Sequence, residues 1–187
     1  DNLDSDSLLI AFVDKLAEAG AKRFAIHARK AWLEGLNPKQ NREIPPLQPE
    51  RVAYLKKKRP HLIIELNGGL ETPEDCLAVL TTFDGAMVGR ASYANPLLWK
   101  QIDEIIYGEE HRNISPSSVI RGLIPHAQKH LQGNGRLWDI SKHLVQIVKE
   151  VPGARSWRKS LSLKAQKRNA DIDVLEEAAK QLEDAGL

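Results

Sequence analysis

Helix and strand signals alternate through the first 110 residues, and this alternation limits the possible folds more than any other feature of the sequence. Apolar residues recur at helical spacing over residues 5–19, and Gly20 follows where a glycine commonly ends a helix. Three short runs of strand-forming residues come next, at residues 23–27, 61–66 and 85–88, with helical segments between and after them. One of these helices should start with a cap at Thr72 and run to about Phe83, and another should run from Asn95 to Tyr107. Strands joined through helices run parallel, so the sequence predicts a parallel sheet covered by helices.

Polar residues and glycines follow each predicted strand. The three strand ends read His27-Ala28-Arg29, Asn67-Gly68-Gly69 and Gly89-Arg90. A doubly wound sheet and a (β/α)8 barrel both fit the alternation, but in barrels the active site lies at the C-terminal strand ends, and the last two ends often bind phosphate. Three strands cannot close a barrel. We therefore predict that residues 1–110 form the C-terminal part of a (β/α)8 TIM barrel.

Strand signals are absent from the sequence after residue 115. Apolar residues at helical spacing predict helices over residues 119–131 and 137–147, and a third over 154–163. Asp173 and Glu176 resemble a capping pair at the start of a last helix that ends near Leu182. Residues 115–187 are therefore expected to form a small all-α helical bundle, so the fold class is α/β with an appended bundle.

The bundle region is strongly basic. Between residues 115 and 168 the sequence has eleven lysines and arginines against two acids, Asp139 and Glu150. This pattern indicates a polyanion partner such as nucleic acid, although a solvated helical face explains it equally well. Cations that project from a rigid helix suit phosphate contacts, and Arg155 and Arg158 lie on the third helix of the bundle, where Lys159 follows one turn after Arg155. Trp157 and Leu161 lie roughly opposite Arg155 and Lys159 and are expected to face the bundle core.

Other general features place the protein among soluble proteins. No apolar run reaches the roughly 18 residues that cross a bilayer, so no membrane association is expected. Residues 1–4 are acidic and polar, unlike a signal peptide. The single cysteine, Cys76, permits no internal disulfide and favours a reducing, cytoplasmic location. Cys76 falls within a predicted helix, where we expect a buried structural thiol. The remaining histidines show no metal-ligand spacing, and no metal is expected.

The strand ends carry the residue types that bind a phosphorylated ligand. Gly68, Gly69 and Gly89 permit close approach of the backbone, whose N–H groups can donate to phosphate, and Arg90 adds a guanidinium. Either glycine motif alone is typical of an ordinary turn, but two such motifs after successive strands favour a binding site for a phosphorylated ligand. His27 is a further candidate to contact this ligand, because it ends the first strand at the same edge of the sheet.

The loop over residues 30–47 is longer than most connections from strand to helix, which favours a functional loop. It contains Lys39, Asn41 and Arg42, a mixture suited to phosphates and bases. A structured loop that packs on the rim of the barrel is an equally good explanation.

Several motifs together resemble the A subfamily of tRNA-dihydrouridine synthases, in order and over almost the whole chain. They are residues 27–36 (HARKAWLEGL), 38–47 (PKQNREIPPL), 67–69 (NGG), 84–90 (DGAMVGR), 93–96 (YANP) and 153–158 (GARSWR). The first two motifs are specific to that family, whereas the glycine motifs occur in other flavin barrels.

This resemblance implies an FMN-dependent barrel followed by a helical tRNA-binding domain. His27, Asn67, Gly68, Gly69, Gly89 and Arg90 would bind FMN, and Lys39, Asn41, Arg42, Arg155 and Arg158 would lie against tRNA. NADPH would reduce the flavin, which would reduce a D-loop uridine, expected at position 20 or 20a. The full-length enzyme would be a cytoplasmic monomer.

The sequence departs from the family pattern in one respect. The cysteine acid and a flavin-contacting lysine of the family lie on earlier strands, and no residue here matches either, so no catalytic residue is assigned. We expect the chain alone to be inactive. The alternative is a non-enzymatic tRNA-binding module or truncated pseudo-enzyme, and retention of flavin would distinguish the enzyme from such a module. A third hypothesis is an FMN-dependent barrel enzyme that acts on a small molecule, which salt-sensitive binding of tRNA would exclude.

Overall fold

A computed structural model describes residues 5–32, 34–149 and 151–187 of the chain. The chain divides into two compact units, Asp1–Ala91 and Ser92–Leu187. This division falls earlier than the boundary at 110–115 expected from the sequence, and the functional domain assignment stays a prediction. Among the described residues, no helix combines the length and apolar character needed to cross a membrane.

The first unit is a three-stranded parallel sheet with helices between its strands. In chain order its elements are α1 (Asp6–Glu18), β1 (Arg23–His27), α2 (Pro38–Asn41), α3 (Pro49–Lys58), β2 (Ile63–Asn67), α4 (Pro73–Val79) and β3 (Gly85–Met87). The strands lie in the order β1-β2-β3 and both pairs are parallel, which confirms the predicted strands and their direction. The mixed α/β class is likewise confirmed.

The two faces of this sheet differ in burial. On one face, Phe24 of β1 pairs with Ile64 of β2, and both side chains are buried. On the other face, Ile63 of β2 and Met87 of β3 are exposed, with exposed fractions of 37% and 42%. β1 and β3 are also the edges of the sheet. As far as the described residues show, the unit therefore has one packed face, one open face and two parallel edges that pair with no further strand.

Local signals explain where the helices of this unit begin and end. The side chain of Ser5 accepts from the N–H of Leu8 at the start of α1. At its end, Gly20 has φ +104°, and the amides of Gly20 and Ala21 donate to the carbonyls of Ala17 and Leu16, which is a Schellman motif. The glycine cap predicted at Gly20 is confirmed.

α4 is shorter than the sequence predicted. Its start is as expected, because Thr72 and Asp75 form a capping box behind Pro73. Its end was expected near Phe83 but lies at Val79. The hydroxyl of Thr81 donates to the carbonyl of Ala78, so a side chain competes for the acceptor at the helix end.

The described residues of the second unit form helices and no strand. α5 (Arg90–Ala94) lies across the division between the units, and a 3-10 helix (Pro96–Trp99) and α6 (Ile102–Tyr107) replace the single helix predicted from Asn95 to Tyr107. The longer helices are α7 (Pro116–Gln132), α8 (Leu137–Leu144), α9 (Ala154–Ala165) and α10 (Asp173–Asp184). These four share one apolar core, in which Ile120, Leu137, Leu161 and Leu175 are buried.

The capping pair predicted for α10 is wrong. The residue before the helix is Ile172, whose side chain cannot cap. The amide of Asp173 instead donates to Oδ1 of Asp171 over 3.2 Å. The carboxylate of Asp171 therefore caps the first N–H group of α10.

Candidate functional site

The C-terminal ends of the three strands meet at one edge of the sheet. His27 pairs with Asn67, and Asn67 pairs with Met87, so these three side chains lie side by side on the same face. The amide of Ala28 donates to the carbonyl of Asn67 over 2.8 Å. The structure therefore brings together the strand-end residues singled out in the sequence, because parallel strands end at a common edge.

Gly68 and Gly69 form a left-handed turn directly after β2, with φ of +106° and +78°. A Cβ atom on Gly69 would lie 2.5 Å from Cδ1 of Leu47, and one on Gly68 would lie 3.1 Å from Cδ2 of the same leucine. Glycine is thus required by both conformation and space. Within the described part of the chain, the N–H groups of Gly68 and Gly69 donate to no acceptor.

The ring of His27 lies beside this turn. A Cβ atom on Gly68 would lie 3.2 Å from Cε1 of the ring. The backbone N–H of Arg29 donates to Nδ1 of His27 over 3.0 Å, so Nδ1 is unprotonated and the proton of the neutral ring lies on Nε2. Partial burial lowers the pKa of His27, and the positive charges of Arg29 and Arg90 lower it further. The ring is therefore a neutral hydrogen-bond donor at pH 7.

Gly89 and Arg90 follow β3 at the same edge. A Cβ atom on Gly89 would meet nothing within 4 Å, so the space in front of this residue is open. Arg90 is exposed, and in the described ranges its guanidinium makes no hydrogen bond or ion pair. Its positive charge contributes to the lowered pKa of His27. A cation thus follows β3 at the edge of the sheet where the glycine turn follows β2.

The start of α4 is unsuited to binding an anion, although it follows the glycine turn closely. Oδ2 of Asp75 accepts from the amides of Glu71 and Thr72, at 3.0 and 2.9 Å. These contacts lower the pKa of Asp75, which keeps the carboxylate charged. The helix start is therefore already occupied by a negative charge.

Asn41, expected to contact tRNA, has its side chain engaged within its own loop. Oδ1 of Asn41 accepts from the amide of Trp32 at 2.7 Å, and Nδ2 donates to the carbonyls of Trp32 and Leu36 at 2.8 and 3.3 Å. Lys39 and Arg42 are exposed on the same loop. The loop thus presents two cations on a conformation that Asn41 holds.

Cys76 is buried on α4, as expected of a structural thiol. Burial raises the pKa of its thiol, and the charge of Asp75 raises it further. Both effects keep the thiol protonated and unreactive. No group of histidines, cysteines and acids suited to a metal ion occurs in the parts of the chain that the structure describes.

A basic groove of about 650 Å³ lies on the second unit. We define it by its lining residues: Trp138, Lys142, Val145, Gln146, Lys149, Arg158, Lys159 and Ser162. Four of the eight are cations and none is an acid. Nη1 of Arg158 donates to the carbonyl of Val148 over 2.6 Å, which fixes the side chain at the groove wall.

The sequence predicted only part of this groove. Arg158 was named, and Arg155 is exposed on the same helix but does not line the groove. Lys142 and Lys149 were missed individually, although the excess of basic residues over 115–168 included them. Trp157 and Leu161 are buried, which confirms the predicted inner face of α9.

Comparison with known proteins gives consistent matches. The family model described as "Dihydrouridine synthase (Dus)" matches residues 1–183. The tRNA-dihydrouridine(20/20a) synthase of Shewanella oneidensis is 43% identical over 175 residues, which cover 94% of this chain and 52% of that protein. The protein of the same name from Salmonella typhimurium is 42% identical over 185 residues, 98% of this chain and 56% of the relative. The chain therefore spans about half the length of the curated relatives it matches.

Proposed function

The chain belongs to the dihydrouridine synthase family, and from this premise we propose that it forms part of an enzyme that reduces uridine in tRNA to 5,6-dihydrouridine. Membership confirms the resemblance inferred from the sequence motifs, and it implies a TIM-barrel fold for the first unit. The uridines at positions 20 and 20a, which appear in the names of the relatives, are the proposed substrates.

The single observation that carries this proposal is the edge where His27, the Gly68-Gly69 turn and Gly89-Arg90 meet. The two N–H groups of the turn and the guanidinium of Arg90, which have no hydrogen-bond partner among the described residues, fit the phosphate of FMN, because both are donors to an anion. The open space before Gly89 leaves room for such a group. FMN, reduced by NADPH, would supply the hydride for C6 of the uracil ring.

His27 would orient the flavin ring system as a neutral donor. Its Nε2–H is fixed by the contact between Nδ1 and the amide of Arg29, so no rearrangement of the proton is needed on binding. Asn67, paired with His27 on the same face, would contact the ring system beside it. Neither residue is proposed to give or take the proton in the reaction.

We propose that the proton for C5 of the uracil comes from a residue outside this chain. Cys76 is buried and its raised pKa suits a structural thiol rather than a general acid at the strand ends. We therefore propose that the acid lies in the part of the barrel that the relatives have beyond the matched half. The chain alone is expected to form no dihydrouridine.

Two surfaces are proposed to contact tRNA. The basic groove presents Lys142, Lys149, Arg158 and Lys159 without any acid, which suits consecutive backbone phosphates. Trp138, at the same groove, offers a partly exposed ring. Lys39 and Arg42 of the loop in the first unit form the other surface.

Transcribed tRNA that lacks modification provides the test. We would join the N-terminal part of the Salmonella typhimurium relative to this chain and assay dihydrouridine with FMN and NADPH, beside the 187-residue chain alone. The joined protein should form dihydrouridine and the chain alone should not. Arg90→Ala should lose FMN, whereas the matched change Arg23→Ala, at the exposed N-terminal end of β1 in the same unit, should retain it.

A joined protein that binds tRNA and never retains FMN would contradict the flavin site and favour a tRNA-binding module. One that retains FMN but shows no salt-sensitive binding of tRNA would contradict the proposed substrate.

A further inference from the structure

The loop that connects β1 to α3 is fastened at its base by a backbone bridge and by the side chain of Arg29. The amide of Gln48 donates to the carbonyl of Ala28 over 2.7 Å, and Arg29 and Leu47 form an antiparallel bridge. The guanidinium of Arg29 donates to the carbonyls of Glu43, at 3.3 Å, and of the buried Pro45. The base of the loop is therefore a defined structure, to which the side chain of Arg29 contributes contacts with two carbonyls.

The same base touches two groups of the proposed flavin site. The amide of Arg29 fixes Nδ1 of His27, and the methyl groups of Leu47 lie against Gly68 and Gly69. A displacement of the base would therefore move a donor away from the His27 ring and remove the side chain that packs on the glycine turn.

We propose that Arg29 is a positioning residue, which holds Leu47 against the Gly68-Gly69 turn and so sets the directions of the two unpaired N–H groups. The residue acts through the loop and does not itself touch the ligand. The identity of that ligand rests on the proposed function, whereas the positioning of the turn by Arg29 does not.

Lysine cannot replace arginine in this role. A guanidinium is planar and can donate to two carbonyls in fixed directions, whereas an ammonium on a flexible stem is a point charge. Arg29→Lys keeps the charge near His27 but loses the paired contacts with Glu43 and Pro45. Leu47→Ala instead keeps those contacts and removes the packing on the turn.

The test compares Arg29→Lys, Leu47→Ala and the double variant of the full chain. Arg59→Lys is the matched control, because Arg59 binds Asp14 and the carbonyl of Lys58 in the same unit, before the start of β2. The amide signals of Gly68 and Gly69 and the ring nitrogens of His27 are followed by NMR. The dissociation constant for FMN is measured by flavin fluorescence.

Arg29→Lys and Leu47→Ala should each shift the amide signals of the turn and weaken FMN binding by about fivefold or more. The double variant should bind FMN only slightly more weakly than the weaker-binding single variant, because both substitutions disturb the same contact of Leu47 with the glycine turn. Arg59→Lys should leave the glycine signals and the affinity unchanged.

Unchanged signals of Gly68 and Gly69 in Arg29→Lys would overturn the positioning role, whether or not FMN binds. Additive effects of the two substitutions, or an equal loss of affinity in Arg59→Lys, would overturn it as well. If the unsubstituted chain binds no FMN but the signals shift as expected, the positioning role stands and the flavin assignment fails.

Discussion

Replacing Gly69 by alanine should destabilise the first unit through two separable effects. The residue has φ +78°, a left-handed conformation that costs an L-residue with a Cβ atom about 1–2 kcal/mol. The new Cβ atom would also lie 2.5 Å from Cδ1 of Leu47, so the leucine must move. Overpacking typically costs about 1–3 kcal/mol, and the half-buried Leu47 can shift, which favours the lower end. The expected total is about 2–3 kcal/mol.

Gly20 provides the matched control within the same unit. Its φ is +104°, and a Cβ atom there would meet nothing within 4 Å, so Gly20→Ala measures the conformational cost alone. Urea unfolding followed by circular dichroism gives the loss for each variant. Gly69→Ala should lose about 1 kcal/mol more than Gly20→Ala, and adding Leu47→Ala should reduce the loss specific to Gly69→Ala.

The same pair of variants separates stability from binding. Gly69→Ala should weaken FMN binding because it displaces the turn, whereas Gly20→Ala should not. The contrary result is a loss of unfolding free energy for Gly69→Ala no larger than that for Gly20→Ala, with no reduction of that loss when Leu47→Ala is added. Such a result would show that Leu47 does not pack on the turn and would refute the steric requirement for glycine at position 69.

Three further predictions follow from the electrostatics and burial of single residues. The pKa of His27 measured by NMR should lie below the usual value of about 6.5. Because the unfolded state takes up the proton first, the stability of the fold should fall as the pH drops below that value. His27→Gln should remove this pH dependence of stability, and a measured pKa above about 6.5 would contradict the prediction. Replacing both Lys142 and Arg158 by alanine should reduce the slope of log affinity for tRNA against log salt by about 1.5, whereas Lys129→Ala, outside the groove, should change it less. Cys76→Ala should cost about 1 kcal/mol of unfolding free energy and leave FMN affinity unchanged, and a loss of affinity would argue against a purely structural thiol.

The sequence predicted those features that depend on residues close together in the chain. The strands at residues 23–27 and 61–66 appear within two residues of their predicted limits, because their apolar residues must face the helices. Gly20 and Thr72 cap their helices as predicted, because a cap needs only the few residues around it.

Features that depend on distant residues could not be predicted in this way. Leu47 packs on Gly69 across more than twenty positions, and no local pattern marks that contact. Asn41 has a polar amide suited to RNA, but the carbonyl of Trp32, nine positions earlier, takes up its donor. Lys142 and Lys149 lie on a different segment from Arg158 and join it in the groove only through the packing of α8 and α9.

The open face of the sheet leads to a last prediction. Ile63 of β2 is 37% exposed, although an aliphatic residue on the inner face of a closed barrel is packed. In the chain alone, Ile63→Lys should cost no more than about 1 kcal/mol, because the long side chain can extend its charge into solvent. In the protein joined to the N-terminal part of the Salmonella typhimurium relative, the charge would be buried, and several kcal/mol of stability should be lost.

Leu163→Lys is the control for this comparison, since Leu163 on α9 is 60% exposed and the substitution should be tolerated in both proteins. Thermal unfolding and dihydrouridine formation are measured for each. A joined protein that tolerates Ile63→Lys as well as Leu163→Lys would show that further strands do not cover this face. The flavin site would then have to form on an open sheet, where solvent competes for the N–H groups of Gly68 and Gly69, and phosphate binding at that turn would be correspondingly weak.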